Sequence, residues 1–223
     1  MVKKEQISIY GDPSSENTIL QIGGAGEEDG IQEELKLIEE LTGSTDWCLV
    51  SVPVSDWNQD LSPWKADAVF GNEGFGDGAK ETLRILTREF LPTVRSFHCR
   101  KWILTGYSLG GLFALWASYE TSLFYGVVAA SPSAWFPGFM EYAEAGRCMA
   151  KAVYLSLGDK EKKAKNKVLA TVGDCIRKEQ ELLDKQGVPN TLEFNPGNHF
   201  QDSALRIAKG IAWQLKRLSE TDA

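Results

Sequence analysis

The chain has 223 residues, of which 43% are hydrophobic and 25% charged, a composition typical of one globular domain with a sizeable core. Its formal net charge of -7 argues against nucleic acid or an anionic membrane as a partner. No apolar run is long enough to span a bilayer, and the first residues do not form an apolar signal segment. We therefore expect a cytosolic protein.

The four cysteines are widely separated, and none belongs to a Cys-x-x-Cys pair. A disulfide framework or a zinc site is therefore disfavoured, and we expect no metal and no cofactor.

The first part of the chain predicts strands on either side of one helix. Residues 6–10 predict a short edge strand, and residues 17–22 predict a second strand that leads into Gly-Gly-Ala-Gly at 23–26. Apolar residues at helical spacing predict an amphipathic helix over 30–42. The nearly continuous apolar run at 47–54 is typical of a central parallel strand.

Residues 55–78 follow neither a strand period nor a helix period. A long irregular segment within a compact domain is usually functional or mobile. Because this one contains Trp57 and Trp64, we expect it to be packed and to border the active site. Asp56 and Asp60 are interpreted as solvated loop acids, although they would also suit a cationic substrate group.

The alternation of strands and helices continues to the end of the chain. The remaining predicted elements are a helix over 79–97 that Pro92 kinks or ends, strands at 102–105, 125–131, 152–158 and 191–194, and helices at 112–117, 139–145, 164–186 and 205–218. This order predicts a single α/β domain over 1–223, with a mostly parallel sheet, helices on both faces and no separate cap domain. Ligand sites in such sheets lie at the carboxyl ends of the strands.

One of these strand ends carries a candidate nucleophile. Residues 106–110 have the sequence Gly-Tyr-Ser-Leu-Gly, after an apolar strand and before an apolar helix. A serine at the tip of a sharp strand-to-helix turn is the setting in which this pattern carries hydrolytic chemistry. Gly106 and Gly110 lack the Cβ atoms that would clash where strand and helix approach. The pattern predicts Ser108 as a nucleophile.

A serine hydroxyl needs a neighbouring base, and the chain has two histidines. His98 precedes a strand and so lies at the opposite end of the sheet, whereas His199 follows the last strand and is the predicted base. Asp159 and Glu161 both follow a strand that ends at Gly158, and either carboxylate would orient His199. Geometry alone leaves the two acids open.

The order serine, acid, histidine is that of one serine-hydrolase fold. The motifs Gly-Tyr-Ser-Leu-Gly-Gly at 106–111, Ser-Leu-Gly-Asp-Lys-Glu at 156–161 and Gly-Asn-His-Phe at 197–200 carry a resemblance that covers essentially the whole chain. The chain resembles the α/β-hydrolase superfamily, and within it the esterase group that includes the esterase D-like and siderophore-esterase-like enzymes.

This resemblance implies roles for further residues. The superfamily acid commonly lies three residues past a strand-ending glycine, which favours Glu161 over Asp159, although many relatives carry aspartate there. One oxyanion donor is expected from the amide of Leu109, and a second from the loop after the second strand, at Gly24 or Ala25.

The resulting hypothesis is a serine hydrolase that cleaves a small-molecule carboxylic ester through an acyl-enzyme. The pocket is expected to have aromatic walls from Trp57, Trp64 and Trp135. A thioesterase or a small peptidase would use the same three groups. The alternative from another class is a catalytically silent binding protein of the same fold.

Overall fold

The computed structural model describes residues 2–3, 6–24, 28–92 and 101–221. Within these ranges the strands of one seven-stranded sheet are β1 (Ser8–Gly11), β2 (Asn17–Gly24), β3 (Cys48–Val54), β4 (Lys101–Tyr107), β5 (Phe124–Ala130), β6 (Ala152–Gly158) and β7 (Asn190–Asn195). Their spatial order is β1-β3-β2-β4-β5-β6-β7. β1 runs antiparallel to β3 at the edge, and every other neighbouring pair is parallel.

The helices of the described residues follow the strands in alternation. They are α1 (Glu28–Thr42), α2 (Trp57–Asp60), α3 (Ala79–Arg84), α4 (Leu109–Glu120), α5 (Phe139–Ala145), α6 (Val172–Lys185) and α7 (Ser203–Thr221). A π-helical stretch continues α3 over Ile85–Phe90, and short 3₁₀ turns occupy Glu161–Lys163 and Leu169–Thr171. Over the ranges described, none of these helices combines the length and hydropathy needed to cross a bilayer.

Both faces of the sheet are covered by helices. On one face, α1 and α7 pack against a set of strand residues that includes Ile19 and Ile103. On the other face, α3 to α6 pack against a set that includes Leu20 and Leu104. Successive strand residues point to opposite faces, so these neighbours enter different layers. The predicted mostly parallel sheet with helices on both faces is confirmed.

The predicted long helix over 164–186 is wrong at its start, because α6 begins only at Val172. Asn166 holds the preceding residues in a loop: its Oδ1 accepts hydrogen bonds from the N–H groups of Val168 and Leu169, and its Nδ2 donates to the Val69 carbonyl at 2.6 Å. Local side-chain bonds of this kind compete with helix formation.

The predicted helix over 79–97 is observed as α3 and its π-helical continuation to Phe90. Its remainder from 93 onwards, together with His98 and Cys99, lies outside the described residues. The first strand runs from Ser8 to Gly11, and so begins two residues later than the prediction of 6–10.

One carboxyl group buried in the core lies outside the set of predicted catalytic residues. Glu179 on α6 is fully buried, and its Oε1 accepts a hydrogen bond from the Tyr119 hydroxyl on α4 at 2.8 Å. Its Oε2 has no hydrogen-bond partner among the described residues. Burial raises the pKa of Glu179 to about 7.

This raised pKa predicts a specific loss of stability with rising pH. Below the ordinary glutamate pKa the group is neutral in both states, and above pH 7 folding must bury a charge. The free energy of unfolding should therefore fall by about 3 kcal/mol between pH 4.5 and pH 7 through this group alone. Glu179→Gln should remove this fall when urea unfolding is compared at pH 5 and pH 8. The exposed Glu181→Gln on the same helix is the control, and an unchanged pH dependence in Glu179→Gln would contradict the assignment.

Candidate active site

Ser108 occupies the turn between β4 and α4. Its backbone has φ 55° and ψ -119°, a region that residues other than glycine seldom adopt. Hydrogen bonds on both sides hold the turn: the Ser108 N–H donates to the Ala130 carbonyl at 3.1 Å, and the Leu112 N–H donates to the Ser108 carbonyl at 3.0 Å. This strained backbone directs the serine out from the sheet edge, in the setting described for nucleophilic serines.

Two glycines allow the turn to close. A Cβ on Gly106 would lie 2.4 Å from the carbonyl carbon of Gly110, which no side chain tolerates. A Cβ on Gly110 would lie 3.1 Å from the Ile22 carbonyl oxygen at the end of β2. The start of α4 therefore packs directly on β4 and beside the end of β2, as the sequence pattern predicts.

Three side chains from different strand ends form one hydrogen-bonded chain. His199, in the loop after β7, has Nε2 at 3.0 Å from Ser108 Oγ. Its Nδ1 lies 2.8 Å from Oε2 of Glu161, which follows β6. The His199 side chain is 30% exposed and that of Glu161 only 5%. The structure thus brings Ser108, His199 and Glu161 together, in the geometry of a nucleophile, a base and an orienting acid.

Glu161 remains ionised despite its burial. Burial alone would raise the pKa of Glu161, but the hydrogen bond and charge of His199, together with hydrogen bonds from Gly158 and Ser131, outweigh it and hold that pKa below its usual value. The other carboxylate oxygen, Oε1, accepts hydrogen bonds from the Gly158 N–H at 2.7 Å and from the Ser131 hydroxyl at 2.8 Å. A carboxylate with this many donors is fixed in position and able to stabilise an imidazolium.

Asp159, the alternative acid, does not contact His199. Its Oδ1 accepts a hydrogen bond from the Gly197 N–H at 2.9 Å, and its own N–H donates to the Asn195 carbonyl at 2.8 Å. Asp159 therefore holds the backbone of the loop that carries His199, a role in the turn that its position directly after β6 allows.

A buried arginine lies behind the acid. Arg206, on α7, is 0% exposed, and its Nη1 lies 3.0 Å from Glu161 Oε1, 2.9 Å from Ser131 Oγ and 3.0 Å from the Tyr107 hydroxyl. Its Nη2 donates to the Asn198 carbonyl at 2.9 Å. The guanidinium therefore connects the acid to the backbone of the histidine loop.

Tyr107 completes this connection. Burial raises the pKa of Tyr107, so its hydroxyl keeps its proton and donates to the His199 carbonyl at 2.7 Å. The sequence reasoning missed Arg206, Tyr107 and Ser131. One signal for Arg206 was available, since it interrupts the apolar residues Leu205 and Ile207 near the start of the terminal helix.

Two of the candidate oxyanion donors, Leu109 and Gly24, lie at the same edge of the sheet. Leu109 is the first residue of α4, and the N–H groups of a first turn have no partner within the helix. Gly24 is the last residue of β2, which neighbours β4 in the sheet. Ala25 lies outside the described residues. Ser133, which the sequence analysis did not single out, has its Oγ at 3.5 Å from Ser108 Oγ.

A cavity of about 740 Å³ opens at Ser108. Trp57 and Trp135 line it, as do Phe70 and Phe75 from the irregular segment 55–78. Trp64 is not among its lining residues, because its Nε1 donates to the Pro137 carbonyl at 2.8 Å and its ring packs away from the serine. Across the described parts of the chain, no cluster of three or more His, Cys, Asp or Glu side chains is arranged to hold a metal ion.

The two acids of the irregular segment have structural roles. Asp56 caps α2, because its Oδ1 accepts the Gln59 N–H at 2.9 Å. Asp60 is buried, and its Oδ2 accepts the N–H groups of Ser55 and Asp56. Neither residue lines the cavity at Ser108, so they do not form a site for a cationic group there.

Comparisons with known proteins identify a family and a shared fold. The model of the family described as "Putative esterase" matches residues 30–203. Three solved structures share the fold. An IroE-like serine hydrolase from Shewanella oneidensis matches with a TM-score of 0.77 and 18% identity, over 94% of this chain and 75% of that one. The siderophore hydrolases EstB and EstA from Aspergillus nidulans match with TM-scores of 0.72 and 0.69 and identities of 19% and 22%; EstB covers 92% of this chain and 89% of its own, and EstA covers 99% of this chain and 92% of its own. A search of curated proteins returned no match.

Proposed function

Because this chain belongs to the family described as "Putative esterase" and is therefore an esterase, we propose that it hydrolyses small-molecule carboxylic esters through Ser108, His199 and Glu161. The observation that carries the proposal is the hydrogen-bonded chain of these three side chains, with distances of 3.0 Å and 2.8 Å, at the mouth of the cavity. Ser108 acts as nucleophile, His199 as general base and Glu161 as the orienting acid.

The first half of the reaction forms an acyl-enzyme. His199 Nε2 takes the proton of Ser108 Oγ as the oxygen attacks the ester carbonyl carbon. The carbonyl oxygen becomes an oxyanion that the Leu109 amide and a second amide at Gly24 or Ala25 stabilise. The ester C–O bond then breaks, and the imidazolium of His199 gives its proton to the leaving alcohol.

The second half releases the acid. A water molecule gives a proton to His199 as it attacks the acyl carbon, and collapse of the second tetrahedral intermediate returns the proton to Ser108. Throughout, Glu161 keeps the Nδ1–H tautomer of His199 and balances the positive charge that forms on the ring. The low pKa of Glu161 supports this role, because the carboxylate remains charged at neutral pH.

The shape of the cavity supports a substrate with an aromatic or apolar part. Trp57 and Trp135 offer flat apolar surfaces beside Ser108. EstA and EstB, which share the fold, are named siderophore hydrolases, so siderophore esters belong in the panel of candidate substrates. Simple aryl and alkyl esters complete that panel.

Labelling with a fluorophosphonate tests the nucleophile and the acid together. The probe should form one covalent adduct, and mass spectrometry of the digested protein should find it on Ser108. Glu161→Gln should slow the labelling by roughly 10³-fold, because His199 loses the partner that fixes its tautomer.

Asp159→Asn is the matched variant for the acid. It removes a charge at the other candidate position and keeps an oxygen that accepts the Gly197 N–H, so we expect labelling to slow by less than about tenfold. Absence of an adduct on Ser108 would favour the silent binding protein, and a larger effect at Asp159 than at Glu161 would overturn the assignment of the acid.

A further inference from the structure

A lysine-rich segment follows the buried strand β6. Residues 160–167 have the sequence Lys-Glu-Lys-Lys-Ala-Lys-Asn-Lys, which contains five lysines in a chain whose net charge is -7. All five lysines are exposed, whereas Glu161 is turned inward to His199. The segment therefore presents concentrated positive charge at the carboxyl edge of the sheet.

Three of these lysines belong to the cavity at Ser108. Lys160, Lys163 and Lys165 line it, whereas Lys162 and Lys167 do not. We call the three lining residues the lysine lip. They share the cavity with Ser108 and His199, so an ester bound to the serine occupies the same cavity as these three lysines.

No ion pair joins the lysine lip to a carboxylate in the part of the chain that the structure describes. Among the described residues, no carboxylate lies within 4.0 Å of these three ammonium groups. Some lysines elsewhere are paired, for example Lys65 with Asp77 at 3.5 Å and Lys178 with Glu144 at 2.9 Å. Unpaired positive charges around a cavity attract anionic ligands and raise their association rate.

Backbone contacts hold the lip beside the site. The Lys160 N–H donates to the Gly197 carbonyl at 3.0 Å, in the loop that carries His199. Asn166 Nδ2 donates to the Val69 carbonyl, which connects the segment to the aromatic residues of 55–78. The lip is thus anchored on both sides, although the lysine side chains themselves are exposed.

Aromatic side chains form a second part of the cavity wall. Trp57, Phe70, Phe75 and Trp135 line it, and so does Phe200, whose ring is 90% exposed directly after the candidate base. A ligand that fits both parts has a flat apolar portion and a negatively charged group.

We propose that this site selects esters that carry a carboxylate, with the aromatic or apolar part of the molecule against the tryptophans and the carboxylate at the lysine lip. The proposal rests on the function proposed above, because the selected ester is the one that Ser108 cleaves. The lip acts on binding and takes no part in bond breaking, so its loss should alter selectivity and leave the chemistry of neutral esters intact.

Matched pairs of esters measure this selectivity. For a charge on the alcohol side, 4-acetoxybenzoate is compared with 4-acetoxybenzamide. For a charge on the acyl side, the monomethyl ester of terephthalate is compared with methyl 4-carbamoylbenzoate. We expect kcat/KM to be roughly tenfold higher for the anionic member of at least one pair, since each exposed ion pair contributes a factor of up to about five. In 0.5 M NaCl this preference should fall to about one third or less, because salt screens exposed charges.

Variants of the same segment assign the effect to the lip. Lys160→Gln/Lys163→Gln/Lys165→Gln should remove the preference for the anionic ester and leave kcat/KM of its neutral partner within about twofold. Lys162→Gln/Lys167→Gln neutralises charges in the same segment outside the cavity and should retain most of the preference. A second comparison reverses one charge at a time. Lys163→Glu changes a residue of the lysine lip, and Lys162→Glu changes a neighbouring lysine outside the cavity.

The outcomes separate this proposal from the function on which it rests. Equal kcat/KM for both members of each pair, or equal effects of the two sets of variants, overturns the lysine lip while Ser108-dependent hydrolysis stands. If none of the four esters is cleaved, each is tested for protection of Ser108 against the fluorophosphonate. Protection by the carboxylates alone supports the lip, and equal protection, or none, overturns it. Absence of fluorophosphonate labelling would instead overturn the proposed function.

Discussion

Replacing Ser108 with alanine is expected to lower kcat for p-nitrophenyl acetate by roughly 10⁴- to 10⁶-fold. The variant loses the only oxygen at 3.0 Å from His199 Nε2 among the described side chains, and so loses the acyl-enzyme route. Amides that stabilise an oxyanion would remain, which accounts for a residual rate above that in water. Alanine has the same Cβ as serine, so the strain of φ 55° is unchanged, and the thermal unfolding midpoint should move little.

Ser133→Ala is the matched control for this loss. Its hydroxyl also lines the cavity and lies 3.5 Å from Ser108 Oγ, but it makes no hydrogen bond to His199. We expect kcat to fall by less than about tenfold. Retained turnover in Ser108→Ala would exclude the mechanism, and an equal loss in Ser133→Ala would show that the cavity, and not the nucleophile, had been damaged.

The architecture was predictable because its signals are local. A strand, a tight turn and an apolar helix are contiguous around Ser108. The glycines at 106 and 110 indicate a close approach, because a Cβ on Gly106 would lie 2.4 Å from the carbonyl carbon of Gly110. The alternation of strands and helices then implies a parallel sheet, which brings distant strand ends to one edge. That rule is sufficient to expect Ser108 and His199 at the same edge.

Details that depend on three-dimensional packing could not be predicted from the sequence. Asp159 and Glu161 follow the same strand end, and residue spacing alone does not encode which of the two side chains points to His199. Trp64 contacts Pro137, a residue 73 positions later in the chain, which no local pattern indicates. The late start of α6 depends on the hydrogen bonds of Asn166, one of which reaches Val69, 97 positions earlier. Each of these details involves a contact between residues far apart in the chain, which local patterns do not reveal.

The largest effect expected away from the reacting atoms is at Arg206. Arg206→Met should destabilise the protein by about 3 to 5 kcal/mol, because Glu161 loses a buried counter-charge. Arg206→Lys keeps the charge but loses the forked geometry that also reaches the Asn198 carbonyl, so it should fold and show kcat lowered by roughly 10- to 100-fold. Both changes act through the position of Glu161 and His199, which makes Arg206 a positioning residue.

The pH profile of kcat/KM distinguishes a role of Arg206 in positioning Glu161 and His199 from a role in stability alone. In Arg206→Met the negative charge of Glu161 is no longer partly neutralised by the guanidinium, so it stabilises a protonated His199 more strongly. The acid limb of the kcat/KM profile should therefore move to higher pH. In Arg206→Lys the acid limb should lie close to its position in the unmodified protein, because the lysine ammonium restores the positive charge. Arg217→Met, on the same helix but over the Trp213 ring, should leave the limb unchanged. An unmoved acid limb in Arg206→Met would show that the arginine only supports the structure. A smaller folded fraction alone lowers kcat/KM without moving the midpoint of the acid limb.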